Sequence, residues 1–247
     1  MTGPPPATAA IRVAVRHHLQ EVTGPVFAAV SGGADSLALA AALAFERPAS
    51  GAVIVDHGVQ PGSAEVAARA AAQCASLGLS ACVLTAVVSG DGGPEARART
   101  ARYAVLDEVD GTVLLGHTRD DQAETVLLGL IRGSGARALS GMAPARGHYR
   151  RPLLEISRLT TRMACAESGL EAWEDPHNTD PSYLRVQVRT ILDALDVSDG
   201  LVRSARLLRE DADALDELSE PEDDVAVLAS MPPALRSRSL KKWAELQ

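Results

Sequence analysis

The chain has 247 residues, enough for one α/β domain with a smaller appendage. Hydrophobic residues make up 46% of it but aromatics only 3%, so Ala, Val and Leu must fill the core. A net charge of −8 argues against a general nucleic-acid coat, and no apolar run is long enough to span a bilayer.

The start of the chain lacks an apolar stretch followed by a cleavage site, so a cytoplasmic protein is expected. Three cysteines, Cys74, Cys82 and Cys165, form no CxxC pair and are expected as buried or partly buried thiols. In chain order, β-rich runs at 26–30, 52–56, 81–88 and 112–116 alternate with Ala/Leu-rich helical patterns at 36–45, 64–77 and 95–109. A further helix is expected over about 120–131. This alternation predicts an α/β fold: a parallel sheet with helices on both faces, binding its ligand beyond the carboxyl ends of the strands. Glycine-bearing breaks fall at 89–94 and 133–148; the second is long and poor in regular pattern. From 157 onward only helices are expected, at 157–168, 182–195, 200–218 and near 233–246, with a polar linker at 219–224.

The first strand runs into SGGADS at 31–36 and then into a helix. Gly32 and Gly33 let the backbone turn sharply, so N–H groups of the loop and of the helix start can converge on an anion. Ser31 and Ser36 add hydroxyls, with Ala34 between them in the loop. Asp35 would repel phosphate unless it holds a Mg²⁺ that bridges both. The loop lacks the lysine of a Walker motif and is not GxGxxG. It resembles the SGGxDS loop of the PP-loop ATP pyrophosphatases, which cleave ATP between the α and β phosphates.

The second strand ends in Asp56 and His57, and the fourth in Gly116 and His117. Asp120, Asp121 and Glu124 then open a helix, and the spacing of Asp121 and Glu124 puts them on one face. Acids there complement a helix dipole, but this excess suits a metal or a cationic substrate better. Between Arg132 and Arg162 lie Arg137, Arg146, Arg150, Arg151 and Arg158 against Glu155 alone, a basic stretch in an acidic chain.

LGHTRDDQAET at 115–125 with RGSG at 132–135 closely resembles the corresponding block of the tRNA(Ile)-lysidine synthase family. Other matching pieces, in order, are DHG at 56–58, ARTARY at 98–103, RPLL at 151–154, EDPHNTD at 174–180, and the paired Arg185 and Arg189. Together they cover most of residues 26–190. The resemblance implies a PP-loop, Rossmann-like domain of the adenine nucleotide alpha hydrolase kind over 1–195. A helical part at 196–247 would contact tRNA, as a minimal or truncated form of the family's longer C-terminal domain.

The resemblance further implies ATP, Mg²⁺, free L-lysine and the isoleucine tRNA with a CAU anticodon as ligands. Residues Ser31, Gly32, Gly33, Ala34, Asp35 and Ser36 would cradle the phosphates. Asp56, His57, Gly116 and His117 would line the nucleotide site, the second-strand end lying near adenine in the family. Asp35 and Asp121 would hold Mg²⁺, Arg102 would steady charge on the reacting phosphates, and Glu124 would hold lysine. Arg132, Arg137, Arg151, Arg185 and Arg189 would meet tRNA, as would Arg150, Arg158 and Arg162. Family members are often dimers, so a homodimer is possible. Two other readings stand beside this one: a PP-loop tRNA thiolase, which generally needs cysteines this chain lacks, and an adenine-nucleotide-binding module without turnover.

Overall fold

The computed structural model describes residues 3–58, 62–91, 93–176 and 180–247. The middle of the EDPHNTD segment, 177–179, and one residue of the 89–94 break lie outside the described residues. The chain forms two compact units. One takes the described residues up to Gln122 and from Ala143 to Gln187; the other takes Ala123–Met142 and Val188–Gln247.

The first unit is built on a six-stranded sheet of order β3-β2-β1-β4-β6-β5. Its strands are β1 (Val26–Val30), β2 (Gly51–Asp56), β3 (Ser80–Thr85), β4 (Thr112–Leu115), β5 (Ala145–Arg146) and β6 (Tyr149–Arg150). Neighbours run parallel except at β5–β6, which pair antiparallel. The sheet is therefore parallel, as the alternating pattern predicts, with one short antiparallel edge that the irregular sequence at 133–148 did not reveal.

Strand periodicity sorts the core into two layers. Val26, Ala28 and Val30 of β1 join Ile54 and Leu114 on one face, beneath α1 (Pro6–Leu19), α2 (Ala34–Glu46), α3 (Ser63–Ser76) and α7 (Arg158–Glu167). Phe27 and Ala29 join Val53, Val113 and Leu115 on the other, beneath α4 (Pro94–Leu106) through Tyr103 and Leu106. Helices thus cover both faces, which is why these strands read as nearly continuous apolar runs. Small residues set the spacing. Gly51 lies opposite Phe27 in register, and a Cβ on it would run into the Phe27 ring. α1 buries Ala7, Ile11 and Val15, yet its polar outer face kept it out of the sequence reading. β3 is the outermost strand, and Cys82 on it is exposed, which corrects the expectation of a sheltered thiol. Cys74 and Cys165 are buried.

The chain moves outward from β1 to β2 and β3, then returns to place β4 on the other side of β1. The crevice at such a reversal, beyond the carboxyl ends of β1 and β4, is where open α/β sheets take their ligands. Gly116, directly after β4, permits the approach: a Cβ there would stand 3.3 Å from the Asp35 carbonyl and from the Ser36 Cα.

The second unit is helical. α5 (Arg119–Ile131) begins in the first unit and enters the second at Ala123. Ala123, Leu127 and Leu128 pack with Val188 and Leu192 of α8 (Leu184–Leu195) and with Leu201 and Val202 of α9 (Ser198–Glu217). α6 (Ala136–Leu139), α10 (Val225–Ser230) and α11 (Pro233–Ala244) complete it. Asp224 caps α10 by accepting the N–H groups of Ala226 and Val227, so the expected polar linker ends in a helix start. No helix among the described residues is long and apolar enough to cross a membrane.

Candidate active site

The loop between β1 and α2 is closed by its own hydroxyls. Ser36 Oγ accepts the Ser31 N–H at 3.1 Å, donates to the Gly33 carbonyl at 2.9 Å and lies 3.2 Å from Ser31 Oγ. Gly32 adopts φ +87°, a conformation that a side chain would strain. Its carbonyl accepts the Trp173 N–H at 2.9 Å. The first intrahelical bond of α2 runs from Leu37 to Gly33, so the N–H groups of its first turn have no intrahelical acceptor and carry the positive end of the dipole.

At the end of β4, Thr118 and Asp121 cap α5 reciprocally. The Thr118 N–H donates to Asp121 Oδ2 at 2.7 Å, and the Asp121 N–H reaches Thr118 Oγ1 at 3.4 Å. This is the T-x-x-D form of a capping box, a signal present in the sequence and missed there. The other oxygen, Asp121 Oδ1, accepts from Arg158 Nη2 at 2.7 Å. Arg158 Nε lies 4.0 Å from Asp35 Oδ2. The single proton of the Thr161 hydroxyl lies between two acceptors, Asp35 Oδ1 and the Arg158 carbonyl. Asp120 accepts the Arg158 N–H at 2.8 Å. Asp35 and Asp121, distant in sequence, thus flank one guanidinium at the start of α7.

The two acids titrate differently. Burial raises the Asp35 carboxyl to about 6, against the Thr161 hydrogen bond and with help from the Asp121 charge. Burial also pushes Asp121 upward, but Arg158, the Thr118 hydrogen bonds and His117 outweigh it and hold that group below the ordinary carboxylate range. A divalent cation fits this pair in a particular way. Among the described residues, no group of three or more His, Cys, Asp or Glu would hold a metal alone. Mg²⁺, however, is commonly held by one or two carboxylates together with substrate phosphates, and the buried, mutually repelling pair beside the loop suits that arrangement.

The end of β2 and the helix α4 bring cationic and neutral nitrogen groups together. Arg102 Nε lies 3.4 Å from His57 Nε2, and Arg99 Nη2 donates to the Tyr103 hydroxyl at 3.4 Å. Burial lowers His57, with Arg102 adding to the effect. Burial lowers His117 to about 4, with Arg151, Arg99 and Arg102 reinforcing it against Asp121. Both imidazoles are therefore neutral near pH 7. Their Nδ1 atoms and Arg151 Nε are buried without a hydrogen-bond partner among the described residues. Buried polar atoms of this kind need a partner, which water or a bound ligand can supply.

Other residues chosen from the sequence stand in several settings. Asp56 accepts the Gly58 N–H at 2.9 Å and turns the chain after β2. Glu124, in the second unit, is 1% exposed, and its Oε1 accepts from Arg189 Nε at 2.9 Å. Arg132 is exposed. Arg137 is spent on Asp213 and Asp216 of α9. Arg185 is half-buried on α8. Arg151 is 5% exposed and donates to the Ala143 carbonyl at 2.8 Å, so it lies under the surface rather than on an RNA-facing one. Arg158 turns inward as well. Thr161 and Trp173 carried no sequence signal, because their partners lie more than a hundred positions upstream.

This architecture defines a nucleotide-binding α/β domain with a glycine-turned anion loop. The PP-loop domain family, ATP_bind_3, matches residues 9–195. A tRNA(Ile)-lysidine synthase of Leifsonia xyli is 51% identical over 87% of this chain and 74% of its own length. One from Thermobifida fusca is 47% identical over 99% of this chain and 84% of its own. Among solved structures, the U34-tRNA thiolase NcsA of Methanococcus maripaludis shares the fold, with a TM-score of 0.66 at 20% identity over 82% of this chain and 78% of that one. The chain belongs to the tRNA(Ile)-lysidine synthase family.

Proposed function

We propose that this protein is a cytoplasmic, ATP-dependent ligase that joins L-lysine to C2 of the wobble cytidine in tRNA(Ile) bearing CAU. The product reads AUA in place of AUG. The observation that carries this reading is the meeting of Asp35, from the glycine loop, with Asp121, from the α5 cap, around one cationic position. Family membership supports the nucleotide and the tRNA.

In this reading residues 1–195 carry the chemistry and 196–247 contact tRNA. Ser31, Gly32, Gly33, Ala34 and Ser36 hold the triphosphate through the loop N–H groups and the α2 dipole. Asp56, His57, Gly116 and His117 line the nucleotide beside it. Mg²⁺, held by Asp35 and Asp121, would neutralise charge on the phosphates. The C2 oxygen of the cytidine attacks the α-phosphorus, the α–β bridging bond breaks, and pyrophosphate leaves with the electron pair. Arg102 stabilises the charge that develops there. The lysine amine then attacks C2, the C2–O bond breaks, AMP departs and the amine loses a proton. Glu124 orients the amine through its buried carboxylate. Arg132, Arg137, Arg185 and Arg189 meet or organise the anticodon arm, and Arg151 acts from beneath by fixing the strand before α7.

An anticodon loop is single-stranded, so its base enters a pocket without opening a duplex. A thiolase reading has little support, since burial raises Cys74 to about 11 and also raises Cys165. The test is lysine incorporation. With ATP, Mg²⁺ and labelled L-lysine, label should enter tRNA(Ile) with CAU and not tRNA(Met) with the same anticodon. Pyrophosphate release without label in either would keep the adenylating reading and overturn the lysine one. Sedimentation tests the family's expected homodimer.

A further inference from the structure

We propose that Arg158 is a resident counter-cation that keeps Asp35 and Asp121 from taking up a divalent cation by themselves, so that metal enters together with the nucleotide phosphates. The inference rests on the assignment of these two acids as the metal pair.

The geometry is specific. Arg158 Nη2 bonds Asp121 Oδ1 at 2.7 Å, and its Nε lies 4.0 Å from Asp35 Oδ2. Its side chain is 18% exposed, and those of Asp35 and Asp121 are 29% and 19% exposed, so water screens the three charges poorly. A metal arriving alone must push aside a charge-assisted hydrogen bond or share two carboxylates with a cation beside it. A metal arriving on a nucleotide brings phosphate oxygens that offset the guanidinium. Arg158 then has a second set of acceptors within reach, because α7 starts beside the loop.

The backbone of Arg158 is held by ties of its own, separate from the guanidinium. Its N–H is bound by Asp120 at 2.8 Å and its carbonyl by Thr161 at 2.8 Å. Ser157 caps α7 independently by accepting the Thr160 N–H at 3.1 Å. Replacing the guanidinium therefore leaves these ties in place. Arg158 acts through the two acids and is a positioning residue.

The test is Mn²⁺ binding to the full chain, followed by the loss of the free-ion electron paramagnetic signal, with and without ATP. Without ATP, Arg158→Met should bind Mn²⁺ at least tenfold more tightly than wild type. Arg158→Lys, which keeps the charge, should stay within about threefold of wild type. Adding Asp35→Asn to Arg158→Met should remove the gain. With ATP present, wild type and Arg158→Met should differ far less. A folded Arg158→Met chain, judged by circular dichroism, that binds Mn²⁺ alone no better than wild type overturns the inference and leaves the metal pair standing. Wild type that holds Mn²⁺–ATP no more tightly than Asp35→Asn overturns the metal pair and this inference with it.

Discussion

Asp35 carries opposed demands. Its carboxyl is raised from 3.8 to about 6 chiefly by burial, so the fold favours the protonated form that the proposed chemistry cannot use. That stabilisation is present below about pH 4 and is lost as pH rises through 6. Asp35→Asn keeps an acceptor for Thr161 and never ionises. Thermal melts without metal should show it level with wild type near pH 4 and ahead by about 1–3 kcal/mol at pH 7. Pyrophosphate release by the same variant should vanish. An Asp35→Asn variant that melts no later than wild type at pH 7 would mean the Asp35 carboxylate is already well compensated. In the proposed function, the Asp35 charge would be held at the expense of stability, which is common where charges are gathered for a ligand.

At the scale of elements, α5 does two jobs, with Asp121 in its first turn and Glu124 one turn on. Glu124 is 1% exposed and tied to Arg189 of α8 at 2.9 Å, within the second unit. Removing the guanidinium takes away one charge-assisted hydrogen bond to a buried carboxylate, so Arg189→Met should cost about 1.5–3 kcal/mol in urea unfolding. Glu124→Gln should cost less, and the double variant should recover part of the loss. Equal costs for the two single changes would argue that the carboxylate is satisfied elsewhere. The sequence made α5 legible because acids are followed there by an apolar stripe, while its threonine cap went unread. It made β1, β2 and β4 legible because both sheet faces are covered and the strands are apolar throughout. β5, β6 and α6 were hidden, since two residues of strand and four of helix leave no period to detect. α1 was hidden by charge on its outer face.

For the whole molecule, charge distribution matters more than its sum. The net charge is −8, yet the loop before α6 presents Arg132 to solvent. Polyanion binding should therefore weaken with salt through a few local contacts. Arg132→Glu should lower tRNA affinity and reduce the log–log salt slope by about 1, with ATP binding unchanged. An unchanged slope would remove Arg132 from the RNA face. The candidate site was legible as a set of strand ends and acids. Its internal wiring was not, because Arg137, Arg151 and Arg158 read alike in sequence. In the fold the first pairs with aspartates, the second is buried under the surface, and the third faces the acids.

The bond from Trp173 to the Gly32 carbonyl, and that from Thr161 to Asp35, join the glycine loop to a much later part of the chain. On the ribosome, β1 and its loop emerge long before either partner exists. The nascent protein thus carries a glycine loop whose inner side stays unlatched until α7 and Trp173 leave the exit tunnel. In the proposed function, competence toward the nucleotide would arrive late in synthesis, even though the loop proposed to hold the phosphates is among the first parts to be made.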